Sequence, residues 1–291
     1  MMAPNTAIAR VRDRMLSFST RADAHILHLA RVLQSAQGIE GVVTTLAFTL
    51  SLVHLQLTKL LARQYEEIAL SLVSKAREHT LPGETATGTL NGPPQTRLSE
   101  LCGCTKQAAD LLVDVWVFTR LWGLVSIYKW AKETWASPPR DPIIKTLVWG
   151  QVASATLFQI GENVAYLAMK SILPRSRWST ERSAKWMAVA SRFWMAQTVF
   201  EILRLLRVRQ LRYNEDLGAQ EADGEKEVKV QSERLKKQWT RDWYASLGWL
   251  PLTLHLSYSD EADSPVSAWL QNLGGLIPSA LMLQDAWGET A

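Results

Sequence analysis

The sequence predicts an all-α, multi-helix membrane-associated bundle with an N-terminal amphipathic helix and a C-terminal apolar helical hairpin. Three observations carry this. Apolar residues recur at steps of three and four over most of the 291 residues, and β-branched runs between turn pairs are scarce. The composition is 47% hydrophobic but 21% charged, too apolar for a disordered chain and too charged for a transporter built of continuous spans. Tryptophan is abundant: 13 Trp outnumber the 6 Phe and 6 Tyr combined. An indole has an apolar body and one N–H, so it suits packed cores and membrane–water interfaces.

The elements follow in order. A first helix is expected over 6–36. Ile8, Val11, Met15, Phe18, Ala22, Ile26, Leu29 and Leu33 form one apolar stripe, with Arg10, Arg14, Arg21 and Arg31 off it. Such a stripe buries against something. It either packs on the next helix or lies in a bilayer interface with its arginines reaching phosphates, and guanidinium suits bidentate phosphate contact. Helices are further expected at 41–78, 98–136, 142–173 and 179–213, then an apolar pair at 239–258 and 265–287. Leu81 to Gln95 is rich in Gly, Pro and Thr and reads as a loop. Tyr213 to Gln238 carries a dense mixture of Glu, Asp, Lys and Arg, the pattern of a solvated, partly helical linker. The chain thus divides into N-terminal amphipathic and apolar helices (1–80), a loop (81–97), a central helical region (98–212), a charged linker (213–238) and the C-terminal hairpin (239–291).

A membrane span needs about 20 mostly apolar residues. Three uncharged stretches come near: Gly41 to Thr58, Thr146 to Gly161, and Ser264 to Gln284. In the C-terminal pair, the turn holds Asp260, Glu261 and Asp263, while Arg234, Lys236, Lys237 and Arg241 precede it. As a membrane hairpin, that pair would keep its basic flank in the cytosol. A soluble hairpin with a polar turn fits the same residues. The N-terminus lacks the compact apolar core of a signal peptide. The last residues form neither a peroxisomal matrix tripeptide nor a prenylation box.

Net charge is +4, which permits attraction to anionic lipid without demanding it. Arg204 and Arg207, with Arg209 and Arg212, end the fifth helix. Arg175, Arg177, Arg182 and Lys185 precede it beside Trp178 and Trp186. These clusters complement a helix dipole or form a headgroup-facing belt, and Trp beside Arg suits the belt. The charges are dispersed and match no nucleic-acid motif, so no nucleic-acid partner is expected.

Catalytic signatures are absent: there is no Gly-rich phosphate loop, no Gly-x-Ser-x-Gly and no His-Glu-x-x-His. No cofactor or metal is expected, since Cys102-Gly103-Cys104 stands alone and His25 and His28 read as a partly exposed polar face. Glu162, inside an apolar helix between Phe158 and Tyr166, reads as the structural partner of an Arg on another helix.

Several segments, in this order, resemble the eleventh-peroxin family of peroxisomal membrane proteins. The opening Thr6-Ala-Ile-Ala-Arg-Val-Arg-Asp-Arg-Met-Leu-Ser-Phe18 is similar, with Asp23 and Leu27 to Leu33 after it. So are Arg120-Leu-Trp-Gly-Leu124, Gly161-Glu-Asn-Val-Ala-Tyr-Leu167, Ser191-Arg-Phe-Trp194 and Arg204-Leu-Leu-Arg207. The end follows suit: Leu247-Gly-Trp-Leu-Pro-Leu-Thr-Leu-His-Leu-Ser257, then Gly274-Gly-Leu-Ile-Pro-Ser279. The likeness is greatest to the filamentous-fungal branch and thins over 80–97 and 213–238. Two departures are a missing Gly near Arg21 and Ala22, and Leu256 where the family commonly has Trp after the His.

The resemblance implies a peroxisomal membrane protein that remodels and elongates its membrane by inserting the amphipathic helix, promoting fission and proliferation without catalysis. It implies Ile8, Val11, Met15, Phe18, Ile26, Leu29 and Leu33 as the membrane-inserting wedge and Arg10, Arg14, Arg21 and Arg31 as headgroup anchors; the charge clusters themselves add Arg204 and Arg207 as headgroup contacts. The implied partners are an anionic phospholipid membrane, further copies of the chain and the organelle fission machinery. A pore for small metabolites, its lumen lined by Gln151, Gln159, Glu162 and Asn163, is the alternative within the membrane. A soluble helical scaffold is the alternative outside it.

Overall fold

Helices and their connections account for every residue described in the computed structural model, which covers 23–79, 94–219 and 226–290; among these there is no strand. The leading helix, α1, is described over 23–32. It is followed by α2 (Ala36–His79), α3 (Arg97–Thr119), α4 (Gly123–Ala136), α5 (Pro142–Met169), α6 (Thr180–Ala219), α7 (Lys226–Leu256), a 3-10 turn (Glu261–Asp263) and α8 (Ala268–Glu289).

Local chemistry accounts for several boundaries. Thr96 and Ser99 form a reciprocal capping box that starts α3. Asp141 caps α5 through the Ile144 N–H at 2.9 Å, with Pro142 in the first turn where no N–H is needed. Ser267 caps α8. The stop of α5 comes at Met169, before the expected residue 173. Ser171 there takes a left-handed φ of 59°, and Pro174 follows.

Two boundaries differ from expectation for other reasons. The expected 98–136 helix is broken at Arg120–Trp122, and α3 and α4 meet at a 47° bend. The cause is tertiary. Asn163 donates to the Leu121 carbonyl at 2.8 Å, and Gly123 lies against the Gln159 side chain so closely that a Cβ would fall 2.3 Å from its Oε1. The expected linker is largely helical: α6 runs on to Ala219 and α7 already begins at Lys226. Mixed Glu and Lys along a helix support it through neighbouring turns rather than breaking it.

Each helix packs on a neighbour in the order α3–α2–α8–α7–α6–α5–α4. The circuit closes where α3 meets α5, through Asp114 with Lys170 at 2.5 Å and Arg120 with Glu162. Trp116 sits inside the circuit with Phe48 of α2 and Leu252 of α7. Phe48, Trp194 and Trp249 surround its ring at centroid distances of 5.9 to 6.1 Å.

The α7–α8 seam depends on small residues. A Cβ on Gly274 would lie 2.7 Å from the Gly248 carbonyl oxygen, so the two backbones are in contact. Gly275 likewise leaves room for the Phe48 ring of α2. Arg241 pairs with Asp285 across the seam and donates to the Leu281 carbonyl at 3.1 Å.

Among the described residues one helix, α2, is long and apolar enough to cross a membrane. The bent α3–α4 pair reaches the same length and apolarity only if it counts as one span. The other two uncharged stretches lie in α5 and α8, neither of which qualifies. Of the most apolar part of α2, 28% is buried in the protein.

The seam yields a prediction. Gly274→Val should cost about 1–3 kcal/mol through forced separation of α7 and α8. Gly103→Ala, where a Cβ meets nothing, should be neutral or stabilise by up to about 1 kcal/mol. Denaturant unfolding of the two variants in the same detergent measures both.

Candidate membrane surface and the arginine box

The described part of the leading helix tests where its apolar stripe goes. Ile26 is 64% exposed, Leu29 39% and Leu33 41%, whereas Val32 is fully buried. The helix therefore docks by the edge that carries His28 and Val32, and its apolar stripe faces outward. His28 Nε2 lies 3.0 Å from the Trp287 carbonyl oxygen and 3.1 Å from the Thr290 hydroxyl of α8, and its ring stands 4.0 Å from the Trp287 ring. His25 is exposed nearby, 6.4 Å from the same indole. The two histidines thus serve packing between α1 and α8. Arg31 is exposed beside the stripe. Ile8, Val11, Met15, Phe18, Arg10, Arg14 and Arg21 lie outside the described residues.

Arg204 and Arg207 hold other bonds. Arg204 forms two bonds with Glu201, at 2.6 and 2.7 Å, and Arg207 reaches Asp141 at 2.8 Å. Both are mostly buried, so a lipid phosphate would have to compete with a carboxylate already in place. Arg207 also explains the electrostatics of the α5 cap. Its guanidinium, together with the Ile144 N–H, holds the Asp141 carboxyl below its ordinary value of 3.8. Burial, with Glu201 close by, pushes the Asp242 carboxyl up. The upstream cluster is more open: Arg182 lies over the Trp178 ring at 5.6 Å, and Trp178 meets Trp186 edge-on at 5.7 Å.

The expected partner of Glu162 is Arg120, and the two ion-pair between α5 and the end of α3. Arg120 is also enclosed by rings. Its guanidinium carbon lies 4.3 Å from the Trp116 centroid, 5.2 Å from Trp194 and 5.3 Å from Phe158. Gln159 donates to Glu162 Oε2 at 3.3 Å and to Asn163 Oδ1 at 2.8 Å. Gln151 donates to Glu201 at 2.6 Å. The polar residues of the α5 apolar stretch are therefore spent on contacts with α3 and α6 or with one another. In the sequence, neither the identity of the arginine nor its aromatic enclosure is visible, because its partners come from three helices.

A cleft of about 550 Å³ opens beside this box, lined by residues of α2 to α7 that include Glu40, Trp116, Arg120, Trp130 and Trp249. Elsewhere, Cys102 is buried against His54, whose Nδ1 lies 3.2 Å from the Cys102 carbonyl oxygen, while Cys104 is exposed. Among the described residues no His, Cys, Asp and Glu cluster could hold a metal ion.

Among the described residues the geometry defines an all-helical protein with one span-competent helix, an outward-facing apolar stripe and a charged aromatic box. No protein-family description, curated protein or solved structure matches the chain.

Glu162→Gln should leave Arg120 enclosed without its counter-charge and cost about 3–5 kcal/mol in unfolding free energy, read by tryptophan fluorescence in detergent. A second expectation concerns acid. Since Asp141 titrates lower in the folded chain than in the unfolded one, its pair with Arg207 contributes fully at neutral pH. That contribution fades as pH falls below 3.8 through the lower folded value. Asp141→Asn keeps a capping oxygen and should flatten this part of the stability–pH curve.

Proposed function

We propose that the chain is a peroxisomal membrane protein of the eleventh-peroxin family that remodels and elongates its membrane by inserting the leading helix, without catalysis of its own. The observation that carries the reading is the exposure of Ile26, Leu29 and Leu33 beside a buried Val32. A helix packed for the sake of the bundle would turn its apolar stripe inward. This one leaves the stripe available to acyl chains, with Arg31 exposed for headgroups. Ile8, Val11, Met15 and Phe18 continue the same periodicity, and Arg10, Arg14 and Arg21 the same polar flank.

The outer surface supports a membrane setting. Leu46, Val53, Leu60, Leu70 and Val73 of α2 are exposed, as are Leu111, Phe118, Trp122, Val125, Tyr128 and Trp135 along α3 and α4. Large exposed apolar side chains in this number suit contact with lipid or with other protein. In the proposed mechanism the wedge enters the cytosolic leaflet, expands it and favours positive curvature. The membrane elongates, copies of the chain gather on it, and the fission machinery assembles there.

Paired substitutions test the wedge. Leu29→Asp should change unfolding free energy by less than about 0.5 kcal/mol yet sharply reduce binding to anionic liposomes. Val32→Asp should cost more than about 2 kcal/mol, because it buries a charge. Equal liposome binding by Leu29→Asp and the parent chain would remove the wedge. A peptide of residues 6–36 should gain helicity on anionic liposomes and deform them, and added salt should weaken its adsorption without abolishing it. In cells, Phe18→Asp should leave peroxisomes fewer and larger.

A further inference from the structure

The cleft beside Arg120 offers two kinds of unspent polar capacity between tryptophan walls. Its volume of about 550 Å³ lies within the range of small-molecule sites. The charges can be counted. Arg120 and Glu162 neutralise each other, which leaves Glu40. Glu40 Oε1 accepts the Trp116 indole N–H at 3.0 Å, and no cation among the described residues pairs with the carboxylate. On Arg120, Nη2 bonds Glu162 and Nε is sealed from solvent, so Nη1, which is not sealed and bonds no other described residue, is the nitrogen open to a ligand. One carboxylate, one guanidinium donor and several indole faces therefore line the same space.

The complement of such a site is a zwitterion with an oxyanion at one end and a cation at the other. The aromatic walls select the kind of cation. A primary ammonium brings three N–H donors that each need an acceptor, and Glu40 is the one carboxylate that lines the cleft. A quaternary ammonium needs no acceptors and is attracted to indole faces. The box already accepts a delocalised cation, since Arg120 lies over three rings. We propose that the cleft binds a phosphocholine group, its methylated ammonium against Trp130, Trp249 and Glu40 and its phosphate at Arg120 Nη1. The group can come from a bilayer lipid or from a soluble phosphodiester. The cleft contains no residue of the leading helix, so this site and the wedge succeed or fail separately.

The test uses the full-length chain in maltoside micelles, which contain no choline. Glycerophosphocholine is titrated in, and saturation transfer from protein to its N-methyl protons is recorded. A second arm places the chain in phosphatidylglycerol nanodiscs with and without phosphatidylcholine and reads the same methyl signal. Transfer in the first arm identifies a soluble ligand; transfer in the second alone identifies the lipid. Glu40→Gln keeps an acceptor for the Trp116 N–H, so the fold is retained, and it should weaken binding at least tenfold. Trp130→Leu, at the half-buried edge of α4, should weaken it severalfold. Absence of transfer in both arms overturns the proposal. So does unchanged affinity in Glu40→Gln, or binding of glycerophosphoethanolamine as tight as that of glycerophosphocholine.

Discussion

The architecture turns on one enclosed cation. A guanidinium withdrawn from water in a helical protein is costly unless a counter-charge and further polar or aromatic contacts compensate it. Arg120 has both, with Glu162 as counter-ion and Trp116, Phe158 and Trp194 as walls. Those partners belong to α3, α5 and α6, and α4 separates the first of these from the other two in the chain. The pair therefore closes the helix circuit between α3 and α5. It also explains the bend: with Arg120 drawn toward α5 and the Leu121 carbonyl held by Asn163, α3 cannot continue straight into α4. Glu40 extends the polar chain to α2 through the Trp116 indole.

Around that centre the helices meet closely where side chains are small. Gly248 and Gly274 bring the α7 and α8 backbones together, and Gly275 admits Phe48 from α2. Large apolar residues are correspondingly abundant outside, on α2, α3 and α4. Small residues at these seams and leucines on the perimeter are what the proposed membrane setting calls for, while the aromatic core of Phe48, Trp116, Trp194 and Trp249 stays inside. In an aqueous monomer the same perimeter would favour self-association.

The leading helix belongs to the same logic. Its attachment to α8 uses a histidine stacked on Trp287 and a buried Val32, which leaves the stripe unspent. The docking edge and the proposed wedge are therefore different edges of one helix, so the proposed insertion does not require the helix to detach.

Much was legible from local chemistry. Periodic apolar spacing marks most of the helices, because one face of each packs. Thr96, Asp141 with Pro142, and Ser267 mark starts, because capping is decided within four residues. The uncharged run from Gly41 to Thr58 lies inside the span-competent α2. Even the need of Glu162 for an arginine follows from a carboxylate set in an apolar helix. Which arginine answers it does not, because 42 positions separate Arg120 from Glu162 and nothing local links them. For the same reason only the tertiary structure shows Arg207 bonded to Asp141, the α3–α4 bend, and Trp116 at the centre of a ring of helices, whereas Arg204 and Glu201 are neighbours one turn apart on α6. Local sequence determined most of the helices and which of their faces are apolar; three-dimensional packing decided the break at Arg120–Trp122 and which faces were covered, because both depend on partners far along the chain.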